Sequence, residues 1–235
     1  MNGTDEITTP LRLYLIRHGG TEWTASGRHT GRTDIPLTMS GEEEARAWSV
    51  PLSGLSFARV LTSPRQRARQ TCALVALVPP PDVEPDLAEW DYGDYEGMRS
   101  VDIRRVRPGW NVFRDGCPNG ESPAEVSTRA DGLITRLRTM HGNVALFSHG
   151  QFGAALVTRW IGLPLLDAQH FLLGTASLSI LGYGPHHPDV PIIVRLNAVA
   201  HATGNSDPAR GDAERSSLRT RALQRWDNEG GSPAP

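Results

Sequence analysis

Short apolar runs separated by polar, glycine-rich breaks set the pattern of this chain. Leu11 to Ile16 is a nearly continuous apolar run, as in a buried strand, and it stops abruptly at Arg17-His18-Gly19-Gly20. Ala58 to Thr62 and Asn143 to Phe147 read the same way. Ser177 to Leu181 and Ile192 to Leu196 add two more strands, and Asp82 to Leu87 is a weaker candidate. Helical signals recur between them. Ser40-Gly-Glu-Glu43 has the form of a capping box opening a helix toward Trp48. Ser63-Pro64 offers an N-cap and a proline at the first helical position. This predicts a helix to about Leu77, where Val78-Pro-Pro-Pro-Asp82 breaks it. Trp90 to Gly120 reads as loops around a short helix over Val101 to Val106. Ser122-Pro123 opens a helix whose Val126, Ala130, Leu133, Leu137 and Met140 form an apolar stripe. A last helix covers Gln151 to Ile161, stopped by Gly162 and Pro164.

Six strand candidates alternating with helices predict an α/β fold: a three-layer sandwich with a mostly parallel six-stranded sheet and helices on both faces. The expected organisation is a polar N-terminal tail over 1–10, one catalytic domain over 11–203 and a polar, charge-balanced tail over 204–235. In the last segment Leu218, Ala222, Leu223 and Trp226 match one face of a short helix.

Charge changes the picture mainly by what it excludes. There are 24 basic and 26 acidic groups, a net −2, which argues against a nucleic-acid or membrane-surface binder. All 24 basic residues are Arg, because the chain has no Lys. That removes a Walker-type phosphate loop, a pyridoxal Schiff base and any Lys nucleophile. It leaves a side chain suited to gripping phosphate or carboxylate with a planar fork. Met1 to Pro10 matches neither a signal peptide nor an anchor, and no apolar run approaches the ~20 residues of a membrane helix. Cys72 and Cys117 make no disulfide framework and no zinc site. They read as reduced thiols of a cytoplasmic protein, with a single disulfide as the alternative.

Two histidines share one setting. His18, in Arg17-His18-Gly19, and His149, in Ser148-His149-Gly150, each follow a strand and precede a glycine. Ligands of open α/β sheets bind beyond the C-terminal strand ends, so both histidines should face one crevice. The glycines permit close backbone approach to a ligand. Arg65, Arg67 and Arg69 lie at a helix start, where free N–H groups already favour anions. Glu89 sits among aromatic residues, a setting that raises a carboxyl pKa and suits a general acid.

Arg17-His18-Gly19, Thr21-Glu-Trp23, Thr30-Gly31, Pro36-Leu-Thr38, Arg67-Ala68-x-x-Thr71, Glu89-x-x-x-Gly93, Tyr95-Glu-Gly97, Asn119-Gly-Glu121 and Ser148-His149-Gly150 follow in order. This series resembles the histidine phosphatase superfamily, which includes cofactor-dependent phosphoglycerate mutase, over residues 11–200. Within it, Thr62 to Thr71, Glu89 to Met98 and Trp110 to Cys117 are similar to sedoheptulose-1,7-bisphosphatase. Gly116 to Ser122, Phe147 to Gly150 and Thr158 to Trp160 are similar to a bacterial acid phosphatase branch often labelled as mutase.

The resemblance implies a phosphoglycerate mutase-like fold and a phosphomonoesterase that needs no metal ion and no cofactor. His18 would be the nucleophile and form a phosphohistidine. Arg17, Arg67 and His149 would cradle the phosphoryl oxygens, with His149 protonated. Glu89 would protonate the leaving alcohol and then activate water. Thr21, Thr24, Thr30, Gly31 and the Gly150 backbone would line the pocket. Arg32, Trp90, Tyr92, Trp110 and Arg114 would read the leaving group, with Arg32 or Arg114 holding a second phosphate. Phosphoryl transfer needs mainly positioning and charge stabilisation, which this set supplies.

Gly20, Thr24 and Gln151 depart from residues frequent in the family, and they bear on the substrate more than on the reaction. The expected partner is a small phosphorylated sugar, sedoheptulose 1,7-bisphosphate in the sharpest version, with broad acid phosphatase activity as the alternative. A mutase fits less well, because 99–120 is short and lacks Lys. A phosphate-sensing pseudoenzyme is disfavoured by the complete core set. A zinc hydrolase lacks His-Glu-x-x-His and a serine hydrolase lacks Gly-x-Ser-x-Gly. A homo-oligomer stays open.

Overall fold

The computed structural model describes residues 9–200. Residues 1–8 of the expected N-terminal tail, the whole C-terminal tail, and the helix around Leu218, Ala222, Leu223 and Trp226 lie outside the described residues. A six-stranded sheet runs in the order β3-β2-β4-β1-β5-β6. Its strands are β1 (Arg12–Arg17), β2 (Arg59–Thr62), β3 (Asp82–Val83), β4 (Asn143–Ser148), β5 (Leu178–Gly184) and β6 (His187–Ala198). β3, β2, β4 and β1 pair in parallel; β5 and β6 pair antiparallel at the other edge.

Successive residues of a strand face opposite sides, and both sides here are covered. Leu13 and Leu15 of β1, with Val144 and Leu146 of β4, enter a core with α7 (Pro123–Leu137) and α8 (Gly150–Trp160). Tyr14 and Ile16, with Ala145 and Phe147, enter a second core. There they meet Trp48, Leu52 of α3 (Ser49–Ser53), and Cys72 and Val75 of α4 (Gln66–Val75). Burial on both faces is why these strands read as continuous apolar runs rather than alternating ones. α1 (Glu22–Ser26), α2 (Met39–Arg46), α5 (Ser100–Val106) and α6 (Val112–Asp115) complete the helices of the described residues.

Ser122 caps α7 by the expected capping box with Glu125. Three other signals misplace a boundary. Ser63 does not cap α4. Its N–H continues the sheet by donating to the Phe147 carbonyl, and the helix begins at Gln66. The Gln66 N–H donates instead to the Asp34 carboxylate at 2.6 Å, a cap supplied from a distant residue. α2 opens two residues earlier than Ser40 implies, because the Thr38 hydroxyl accepts from the Gly41 N–H. The third strand stops at Val83, since Glu84 caps a 3-10 turn over Pro85–Leu87. α1 escaped the sequence pattern. It is one short turn, closed by a Thr21–Thr24 capping box.

Cys72 and Cys117 are free and buried, and burial pushes both thiols up to about 12. Among the described residues no helix is long and apolar enough to cross a membrane.

Candidate active site

β1 and β4 are parallel neighbours with Arg17 paired to Ser148, so His18 and His149 leave the sheet side by side. Their rings lie 5.2 Å apart, inclined at 63°. The His18 N–H donates to the Ser148 carbonyl at 3.0 Å, which ties the two exits together. The exit loop packs backbone to backbone on α2: a Cβ on Gly19 would overlap the Gly41 carbonyl, and one on Gly41 would overlap the Gly20 carbonyl oxygen.

His18 is buried, and its Nδ1 lies 2.7 Å from the Gly19 carbonyl oxygen. A carbonyl only accepts, so Nδ1 carries the proton and a neutral ring keeps its lone pair on Nε2. Burial, and then the Arg67 and Arg17 charges, hold His18 well below its usual pKa. The ring is therefore neutral at pH 7, the form a nucleophile requires. His149 Nε2 lies 2.7 Å from the Ser63 hydroxyl. Burial first, then Arg67, His18 and Arg17, keep His149 neutral too. The permanent positive charge at the site resides on Arg17 and Arg67.

Both guanidiniums donate to backbone carbonyls. Arg67, in the first turn of α4, is fully buried and donates to the carbonyls of Thr30, Gly31 and Thr33 at 2.7, 3.2 and 3.1 Å. Burial lowers it to about 10, and it stays charged at neutral pH. Arg17 donates to the Leu173 carbonyl at 2.5 Å, and a Cβ on Gly150 would come within 3.0 Å of its Cζ. A carbonyl partner fixes the direction of a fork and brings no net charge of its own.

The Glu89 carboxylate accepts from the backbone N–H of Trp90 at 2.9 Å and from Gln151 and Phe152 at 3.1 and 2.7 Å. The last two lie in the first turn of α8, which orients the carboxyl group. Burial raises its pKa, and these three hydrogen bonds oppose the rise. The net upward shift favours an acid that holds its proton longer than a solvated carboxyl does.

Arg17, His18, Thr24, Arg28, His29, Thr30, Glu89, Tyr92 and Gln151 line one narrow cleft of about 280 Å³. A larger groove of about 950 Å³ lies beside α4 and β3, lined by Gln66, Arg69, Gln70 and Val83, and holds none of these charged groups. Arg69 thus belongs to that groove rather than to the cleft.

The nominated residues divide. Thr24, Thr30 and Tyr92 line the cleft, although the Thr24 hydroxyl is spent within the α1 cap. Thr21 serves as that cap, and Gly31 serves through the carbonyl that holds Arg67. Trp90 is in the core, with Nε1 donating to the Glu121 carbonyl at 2.9 Å; Trp110 is likewise buried, with Nε1 on the Gly116 carbonyl. Arg32 pairs with Asp91 at 2.7 Å. Arg114 pairs with Asp115 at 2.8 Å and also donates to the Gly109 carbonyl. None of these four side chains lines the cleft. Arg28 and His29 do, and sequence reading missed them. Their signal was present in Gly27-Arg28-His29-Thr30-Gly31, a loop of chemistry-bearing residues that reads locally as a turn.

A profile of the histidine phosphatase superfamily, branch 1, matches residues 13–197. The chain is similar to an acid phosphatase of Mycobacterium tuberculosis, 42% identical over 201 residues that span 84% of this chain and 95% of that protein. It is 31% identical over 247 residues to sedoheptulose 1,7-bisphosphatase of Saccharomyces cerevisiae, spanning 77% of this chain and 91% of that protein. A solved structure of an open reading frame product from Mycobacterium tuberculosis superposes with a TM-score of 0.75 and 39% identity. It covers 81% of this chain and 98% of that one.

Proposed function

Because the chain belongs to the histidine phosphatase superfamily, we propose that this phosphoric monoester hydrolase acts on small sugar phosphates through a phosphohistidine on His18. The observation that carries the reading is the fixed tautomer of His18: Nδ1 is committed to the Gly19 carbonyl, which leaves Nε2 as the nucleophilic atom of a buried, neutral ring.

The steps follow from the groups that line the cleft together with His149 and Arg67, which are buried beside His18 and are not among the lining residues. Nε2 of His18 attacks phosphorus in line, and the bond to the leaving oxygen breaks. The departing alkoxide takes the proton of Glu89. Arg17 and Arg67 carry the charge on the phosphoryl oxygens, with His149 adding a hydrogen bond from a neutral ring. Glu89, now a carboxylate, takes a proton from water. That oxygen attacks the phosphohistidine, the P–N bond breaks, and phosphate leaves with Glu89 again protonated. Two arginines and a carboxyl acid supply what a metal ion supplies elsewhere, so the reaction is proposed to run without one.

The cleft is narrow and lined mostly by polar and charged side chains, which favours a small anionic ligand over a macromolecule. The net charge of −2 weighs against a nucleic-acid or membrane-surface partner. Reduced thiols at Cys72 and Cys117 support a cytoplasmic protein. Sedoheptulose 1,7-bisphosphate is the sharp version of the substrate; a broad acid phosphatase is the other reading, favoured by the likeness to the mycobacterial enzyme. A panel of sugar monophosphates, sugar bisphosphates, 3-phosphoglycerate and an aryl phosphate separates them. A seven-carbon bisphosphate turned over no better than the aryl ester removes the bisphosphatase version.

A further inference from the structure

The Arg28 side chain stands where two openings meet. It lines the histidine cleft, and it also lines a shallower groove of about 710 Å³ with Ser26, Gly97, Met98, Arg99 and Asp102. Its backbone is fixed. Gly27 turns the chain at φ 69°, the Arg28 N–H donates to the Trp23 carbonyl at 2.9 Å, and an antiparallel bridge pairs Arg28 with Arg99. The guanidinium is exposed at the cleft rim.

Charge bookkeeping separates Arg28 from the other candidates. Arg32 is neutralised by Asp91 and Arg114 by Asp115. Asp102, the one carboxylate of the groove, already accepts from Arg99 at 2.7 Å and from Arg105 at 2.7 Å. Arg28 makes no close ion pair among the described residues; Asp102 acts on it only at longer range and is already committed to Arg99 and Arg105. Arg99 is held by Asp102 through two hydrogen bonds, so of the groove's two guanidiniums and one carboxylate, the Arg28 charge is the one left without a close counter-charge. The groove therefore carries excess positive charge, next to a site built for a phosphoryl group.

We propose that Arg28 reads a second anionic group, a phosphate or a carboxylate, on the leaving alcohol of the substrate, with the groove as the path of the chain joining the two. This rests on the phosphatase reading of the cleft and moves the distal contact from Arg32 or Arg114 to Arg28. A charged fork at the rim selects among substrates by differential binding, because an alcohol without the second anion leaves it in water.

The test uses three esters of one chain length: butane-1,4-diol monophosphate, the corresponding bisphosphate, and 4-phosphonooxybutanoate. The wild-type protein should prefer at least one of the two anion-bearing esters by roughly tenfold in kcat/KM, the size of one charge-assisted hydrogen bond. The preferred ester tells phosphate from carboxylate. In Arg28→Gln that preference should collapse, chiefly through KM, and Arg28→Lys should restore part of it. An unchanged preference in Arg28→Gln, equal losses on all three esters, or a collapse produced instead by Arg32→Gln or Arg114→Gln would overturn the proposal. So would a wild-type protein that turns over all three alike. A wild-type protein that hydrolyses neither the monophosphate nor p-nitrophenyl phosphate would instead defeat the phosphatase reading itself, and this proposal with it.

Discussion

At the scale of single residues the site depends on keeping rings neutral and one carboxyl protonated. Glu89 holds its proton above the usual carboxyl range because burial outweighs the three N–H groups that point at it. Glu89→Gln should slow hydrolysis of alkyl phosphates by roughly 10²–10⁴-fold, the usual size of general acid catalysis. A p-nitrophenyl ester, whose leaving group needs little protonation, should lose far less; equal losses would remove Glu89 from the acid role. The pH profile follows with definite signs. Burial keeps His18 neutral to well below pH 6.5, so activity should persist into mildly acid solution, and it should fall at higher pH as Glu89 ionises. That alkaline limb should be weaker for the aryl ester, a difference steady-state rates at graded pH would show. His29 couples stability to pH. It is stacked on Tyr92 at 4.5 Å and bonded to Ser100 at 3.0 Å, and burial drives it down to about 3. Below about pH 6.5 the unfolded chain gains a proton there that the folded chain refuses. Stability thus falls with pH across the window from 6.5 to about 3, by at most about 1.4 kcal/mol per pH unit for this one group. His29→Phe should reduce the slope of unfolding free energy against pH by close to one proton, measured by urea denaturation. An unchanged slope would show that His29 is not a buried neutral group. The sequence made His18, His149 and Glu89 legible because each sits at a strand exit or in a marked motif. It made Trp90 and Trp110 look like ligand readers, when their bulk is what the core needs and their N–H groups find carbonyl partners inside it.

At the scale of elements, position comes from close backbone packing. The loop after β1 lies against α2 with no room for a side chain at Gly41, which is not a matter of left-handed φ but of contact with the Gly20 carbonyl. Gly41→Ala should destabilise the fold by roughly 1–3 kcal/mol, as overpacking does. It should also lower kcat, because the displaced loop carries His18. Gly20→Ala has ordinary space, with the nearest atoms at 3.6 Å, and should stay within about 0.5 kcal/mol of wild type. Thermal melts paired with turnover would check both; similar behaviour of the two variants would contradict the packing account. Element existence was readable from apolar runs and from the Ser122 capping box. Boundaries were not readable where the cap came from elsewhere in the fold. Asp34 caps α4 across 32 residues, and Ser63 is diverted to the sheet and to His149. Local sequence holds no record of either contact.

At the scale of the whole molecule, a six-stranded sheet with helices on both faces brings four parts of the chain to one end: the exits of β1 and β4, the first turn of α4, and the Glu89 loop. Every residue of the cleft lies before β5, so a chain ending near Gly204 should fold and keep its turnover. A truncated protein that precipitates, or loses most activity, would show that the Leu218 to Trp226 stripe docks on the domain or on a second copy. The parallel part of the sheet and its strand-end crevice were legible from the order of elements; the antiparallel edge of β5 and β6 was not. The second opening at Arg28 was not, because it needs a bridge between residues 28 and 99 that no local pattern announces. The central claim is that phosphorus is passed to His18. Rapid quenching of the full-length protein with radiolabelled substrate, followed by separation of the intact chain, tests it most directly. The account predicts up to one acid-labile, base-stable phosphoryl group per chain at His18 in the wild type, none in His18→Ala, and unchanged trapping in excess chelator. Turnover by His18→Ala, or trapping that vanishes in chelator and returns with a divalent ion, would contradict it.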